Sequence, residues 1–192
     1  LILVIALIAA VALPISGQSC SDAAKEVAPD LTAAAKLKYS ENLEIAARNA
    51  VTQQTADNII WYARRKGYLG RYKDAVDALT IALKQFPNDA RMYRHRGHRY
   101  MTLRCFDDAI KDFEKAAKLV KGKPDEVEPD GMPNTRNIPT STLQSNIWYH
   151  LALAHYLTGD FERAIPAWRA TRDVGRNADN LVSASHWLYT TL

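Results

Sequence analysis

An offset of 34 residues runs through the middle of this chain: Tyr72, Ala75, Leu79 and Ala82 recur as Phe106, Ala109, Phe113 and Ala116. A fixed period of this size marks stacked helical pairs, in which each unit completes its apolar core only against its neighbours. Spacings of three and four residues put the recurring positions on one helical face. The sequence therefore predicts an all-α solenoid of antiparallel helix pairs, whose function lies on a surface built by repetition.

Periodicity and punctuation extend the pattern. Helices are predicted over Thr55 to Tyr68 and Arg71 to Gln85, then Ala90 to Thr102 and Phe106 to Val120. Thr55 suits an N-cap, Gly67 and Gly70 end the first helix, and Pro87 ends the second. Phe161, Ala164 and Trp168 match Phe106, Ala109 and Phe113 once an insertion is allowed for, so a third pair is expected over Ser141 to Leu157 and Phe161 to Asp173. The repeats run over about 55–88, 89–120 and 141–174, with a half repeat at 178–192. Ahead of them, Leu31 to Thr52 suits one or two capping helices with a break near Tyr39 to Asn42. Residues 20–30 are expected to be a flexible tether, and residues 31–192 the repeat domain.

The insertion at 121–140 contains Gly122, Pro124, Pro129, Gly131, Pro133 and Pro139, which exclude a regular helix. A connection of this length is commonly functional or mobile. Its acidic cluster, Asp125, Glu126, Glu128 and Asp130, either folds back on the basic helices or stays solvated, and a solvated loop is the simpler reading.

Residues Leu1 to Ile15 are almost wholly apolar and uncharged, and Ser16, Gly17, Gln18 and Ser19 follow them. About fifteen residues is short for a bilayer span of roughly 20 and suits the apolar region of an export signal. Residues 1–19 are thus expected to be an export segment, placing the chain in the periplasm or cell envelope, or secreted; an uncleaved anchor and a buried strand or helix are the alternatives. The stretch also resembles the end of a bacterial lipoprotein signal, which implies acylation of Cys20 and membrane attachment, although Gly17 and Gln18 depart from that pattern.

Cys20 and Cys105 are the two cysteines, too few for a multi-bridge scaffold, and a pair between them is neither required nor excluded. Neither has the His, Asp or Cys company of a metal site or an activated thiolate, and Cys105 reads as structural. The net charge of +4 permits an anionic protein partner, and nothing indicates nucleic acid.

The units resemble tetratricopeptide repeats. Their pattern sets a large residue, Leu, Gly and Tyr on the first helix, then an aromatic, Ala, an aromatic and Ala on the second, followed by Pro. The middle unit carries Tyr93, Gly97, Tyr100, Phe106, Ala109, Phe113 and Ala116, with Arg96 in the Leu position. The last full unit carries Trp148, Leu151, Ala152, Phe161, Ala164 and Trp168, with His155 for Tyr and Thr171 for Ala. The first is weaker on its first helix, with Ile59, Tyr62, Ala63 and Lys66, and good on its second, with Tyr72, Ala75, Leu79, Ala82 and Pro87. The resemblance implies a protein or peptide partner held in a concave groove.

Carried onto this sequence, the family geometry turns Asp57, Ile60 and Arg64, then Arg91, Arg94 and His98, then Asn146, Tyr149 and Tyr156 toward that groove. Guanidinium groups beside aromatic faces pair with carboxylates while stacking on the chain that bears them, so an acidic segment is the expected ligand. The competing reading is a solvated basic face with its aromatics buried between helices. His95 and His98 lack a third ligand for a metal, and no phosphate-cradling or nucleotide motif is present, so no enzyme, cofactor or metal is expected. A second non-catalytic reading is a structural, self-assembling component of an envelope complex, which exposed apolar residues on the convex side or the last helix would favour.

Overall fold

A computed structural model of the chain describes residues 19–129, 137 and 141–192. The helices among them are α1 Cys20–Ala23, α2 Ala33–Thr52, α3 Ala56–Tyr68, α4 Tyr72–Gln85, α5 Ala90–Thr102, α6 Phe106–Val120, α7 Leu143–Leu157, α8 Phe161–Asp173 and α9 Ala178–Thr191. From α2 to α9 each helix packs on the next, and α3, α5, α7 and α9 also touch in succession, whereas α4, α6 and α8 have no comparable contact with one another. Closer packing in one row bends the stack toward it, so α3, α5, α7 and α9 form the inner, concave row.

The repeat positions explain the core. Ala75, Ala109 and Ala164 are fully buried where helices cross, and Leu79, Phe113 and Trp168 fill the wider gap beside them. Adding methylenes at such alanines would cost about 1–3 kcal/mol by overpacking. Gly97 makes room for the aromatic, since a Cβ there would stand 3.0 Å from the Phe113 ring. Each pair closes with one geometry: the amides of Arg71, Cys105 and Asp160 donate to the carbonyls of Lys66, Tyr100 and His155 at 3.1, 2.9 and 2.9 Å. The residue before each takes positive φ, 78° at Gly70, 61° at Arg104 and 76° at Gly159, which is the left-handed helix end.

Helix α2 is continuous, without the break expected near Tyr39 to Asn42, because no proline or glycine interrupts it and Thr32 caps its start by accepting from the Ala35 amide. The segment read as a flexible tether is instead fixed to the array. Cys20 and Cys105 form a disulfide. The Lys73 amide donates to Glu26 Oε1 at 2.7 Å, and Lys73 Nζ donates to the Asp22 carbonyl at 2.8 Å.

The disulfide corrects the lipoprotein expectation, because the sulfur that acylation and membrane attachment would need is bonded to Cys105. Among the described residues no helix is long and apolar enough to cross a membrane. The apolar run Leu1 to Ile15 lies outside the described residues.

Candidate binding groove and its in-chain occupant

The concave row concentrates positive charge. His95 and His98 accept through Nδ1 from the neighbouring guanidiniums of Arg94 and Arg99, at 3.0 and 2.9 Å, so both rings are neutral. Burial, reinforced at His95 by Arg94 and at His98 by His150, lowers their proton affinity well below the ordinary imidazole range. His150 donates through Nδ1 to the Asn146 carbonyl at 2.7 Å and lies 4.6 Å from the His98 ring. Burial, then Arg94, pushes it down to about 4.

Into this field dips Glu128. Arg94 NH2 donates to Glu128 Oε2 at 2.8 Å, and Arg94 Nε approaches Oε1 at 2.7 Å without hydrogen-bond alignment. The acidic cluster is therefore not simply solvated. Asp125 Oδ1 accepts from the Gln144 amide at 2.9 Å and so caps α7, the Leu143 amide donates to the Glu126 carbonyl at 2.8 Å, and Val127 forms an antiparallel bridge with Thr142. Asp130 lies outside the described residues. Burial raises the proton affinity of Glu128, and Arg94 and then Arg64 oppose that rise. The segment separates cavities of about 560 and 210 Å³, and Arg91, Glu126 and Leu143 line both.

The other residues expected at the groove are placed as follows along the array. Asp57 and Arg91 pair at 2.5 Å along its edge, and Arg91 is held further by Asp89 at 2.7 Å, which raises its pKa. Arg64 stacks on Trp61 at 4.5 Å and reaches the Tyr68 hydroxyl at 3.3 Å, lining the smaller cavity. Ile60 is a core residue packed with Ala63, Ala75 and Leu79. At the other end, Asn146 and Tyr149 line a cavity of about 200 Å³, with Tyr149 edge-on to Trp168 at 5.2 Å. Tyr156 packs on Phe161 and Trp187 at 5.4 and 5.3 Å. The nine thus do not form one continuous site.

Two carboxylates outside the residues expected at the groove hold arginines of α5. Glu128, named in the acidic cluster with fold-back on the basic helices as one of its two readings, carries no local signal that it is the residue buried. Asp112 does: Arg96 stands where the family has Leu, and an arginine on a packed face requires a carboxylate. Asp112 supplies it, accepting from Arg96 Nε and NH2, both at 2.7 Å. Among the described residues no three His, Cys, Asp or Glu side chains come together in a way that could hold a metal ion.

A tetratricopeptide-repeat family model matches residues 63–127. Among curated proteins none matches the chain. A crystal structure of MamA superposes with a TM-score of 0.60 at 14% identity, covering 86% of this chain and 84% of that one. The double mutant of MamA from RS-1 gives 0.57 and MamA from MSR-1 gives 0.53, each at 14% identity over 81% of this chain and 84% of the other. At this identity the likeness speaks for the fold alone, a tetratricopeptide-like α-solenoid. The lipoprotein expectation is corrected by the Cys20 to Cys105 disulfide, which occupies the sulfur that acylation needs, and the structures that resemble the chain, MamA among them, do not support the expected exported, periplasmic or envelope member.

Proposed function

We propose that the chain is a non-catalytic structural scaffold that self-associates, with α9 of one copy seated against the α2 end of the next. The observation that carries this reading is an apolar stripe on α9 that is exposed among the described residues. Leu181, Val182, Tyr189 and Leu192 are all exposed, Tyr189 by 81%. Their spacing confines them to about 100° of the helix surface, the width of a packing face. At the far end of the contact chain, α2 and α4 wall an apolar groove of about 320 Å³ with Ala47, Ala50, Val51, Ala78 and Ile81, whose small side chains admit a helix closely.

The two surfaces lie toward opposite ends of the contact chain, the groove between the outer-row helices α2 and α4 and the stripe on α9. Two different surfaces joined in this way make a heterologous contact. A separate acidic segment in the concave groove has less support, because Glu128 already holds Arg94 there.

Mixing of two blocked variants tests the proposal. Ile81→Glu and Tyr189→Glu are each expected to be monomeric, and their mixture to form a dimer that grows no further, since one intact surface of each kind remains. A mixture that stays monomeric while the parent associates would place the contact elsewhere.

A further inference from the structure

We infer that the segment Asp125 to Glu128 is a displaceable in-chain ligand of the concave groove, with Arg94 as the carboxylate receptor and Glu128 as its resident carboxylate. This goes beyond the self-association reading, which uses the two ends of the array.

The receptor is built rather than incidental. Arg94 is buried on α5, its guanidinium is shared between the His95 ring and Glu128, and Arg64 adds a second positive charge that acts on the same carboxylate. Without a carboxylate, this cluster of Arg64, Arg94 and Arg99 would hold mutually repelling charges in a partly desolvated face, which is costly. The inner row therefore selects for an anion at this point, and the chain supplies one.

The occupant is held by its ends. Glu128 is buried, while Lys123, Pro124, Glu126, Val127 and Pro129 are exposed. Among the described residues, one ion pair, the Asp125 cap on α7, a Gln144 side-chain bond to the Lys123 carbonyl at 2.9 Å and a single backbone bridge secure it, and the one apolar side chain of this stretch, Val127, is exposed. A buried ion pair contributes little net stability once desolvation is counted. The bonds that hold the segment can thus open without disturbing Ala109, Phe113 and the other residues of the core. Such local opening lies well below global unfolding in free energy.

The test uses the full chain and a synthetic peptide of residues 123–129 (Lys-Pro-Asp-Glu-Val-Glu-Pro). The Glu128→Gln variant is expected to bind the peptide at least about ten-fold more tightly than the parent, whose groove is occupied for most of the time. Adding Arg94→Gln to that variant is expected to remove the binding. A second measurement needs no substitution: in the parent, the amide of Leu143, bonded to Glu126, is expected to exchange its hydrogen at least about a hundred-fold faster than that of Phe113. Equal peptide affinity for parent and variant, no binding by the variant, or Leu143 exchange as slow as that of Phe113 would each overturn the inference.

Discussion

The guanidinium of Arg94 on α5 meets the carboxylate of Glu128, from the inserted segment, at 2.7 Å with each side chain only 8% exposed. Breaking a sealed pair of this kind costs about 3–5 kcal/mol because one charge is left stranded. Here the segment can lift and let water reach Arg94. Glu128→Gln is therefore expected to lower the unfolding free energy by only about 1–2 kcal/mol in urea titration, and a loss in the sealed-pair range would show that the segment does not open.

The pair Arg96 and Asp112 should behave differently, because both side chains lie between α5 and α6 with no segment to lift. Asp112→Ala is expected to cost about 2–4 kcal/mol. Arg96→Leu together with Asp112→Ala is expected to recover most of that, since Leu restores the family pattern. A double variant as unstable as the sum of the two single ones would contradict the coupling.

These two pairs also show what the sequence disclosed. Ala75, Ala109 and Ala164 were legible because close helix crossings select small residues at a fixed offset. Asp112 was half legible, since Arg96 at a Leu position called for a partner on the facing helix. Glu128 was not. An acidic stretch rich in proline has the composition of a solvated loop, and its burial depends on Arg94, which lies 34 residues away in sequence. The disulfide was hidden for the same reason, its cysteines being 85 residues apart with no local motif. Ile60, expected at the groove, lines the smaller cavity while most of its side chain packs with Ala63 and Leu79 in the core.

Closing a loop that spans 85 residues restricts the unfolded chain, and the Cys20 to Cys105 bond is expected to contribute up to about 4–5 kcal/mol. Cys20→Ser, Cys105→Ser and the reduced parent should share one lowered Tm. The amide of Lys73, held by Glu26, should lose protection in all three. A Cys20→Ser chain with unchanged Tm would show that the arm docks without its bond.

Acidification should weaken the fold through His150. Its pKa in the folded chain is about 4, against about 6.5 when unfolded, so between these values the unfolded chain binds a proton that the folded one refuses. The contribution is complete above pH 6.5 and is lost as the pH falls toward 4, by up to about 2 kcal/mol given the partial exposure of the ring. Arg94 and Arg99 oppose its protonation, the Asn146 carbonyl favours it, and the neutral His98 ring lies 4.6 Å away. In His150→Gln the fall in Tm over this window should be smaller than in the parent; an equal fall would assign the effect to other groups.

The central claim is that the exposed stripe on α9 and the apolar groove between α2 and α4 belong to one contact between copies. Sedimentation velocity of the parent over micromolar concentrations, beside Tyr189→Glu with matched helicity, tests it most directly. The account predicts a parent whose mass rises with concentration beyond that of one chain and a variant that stays at one chain. A parent that remains a single chain throughout, or a variant that associates as well as the parent, would contradict it.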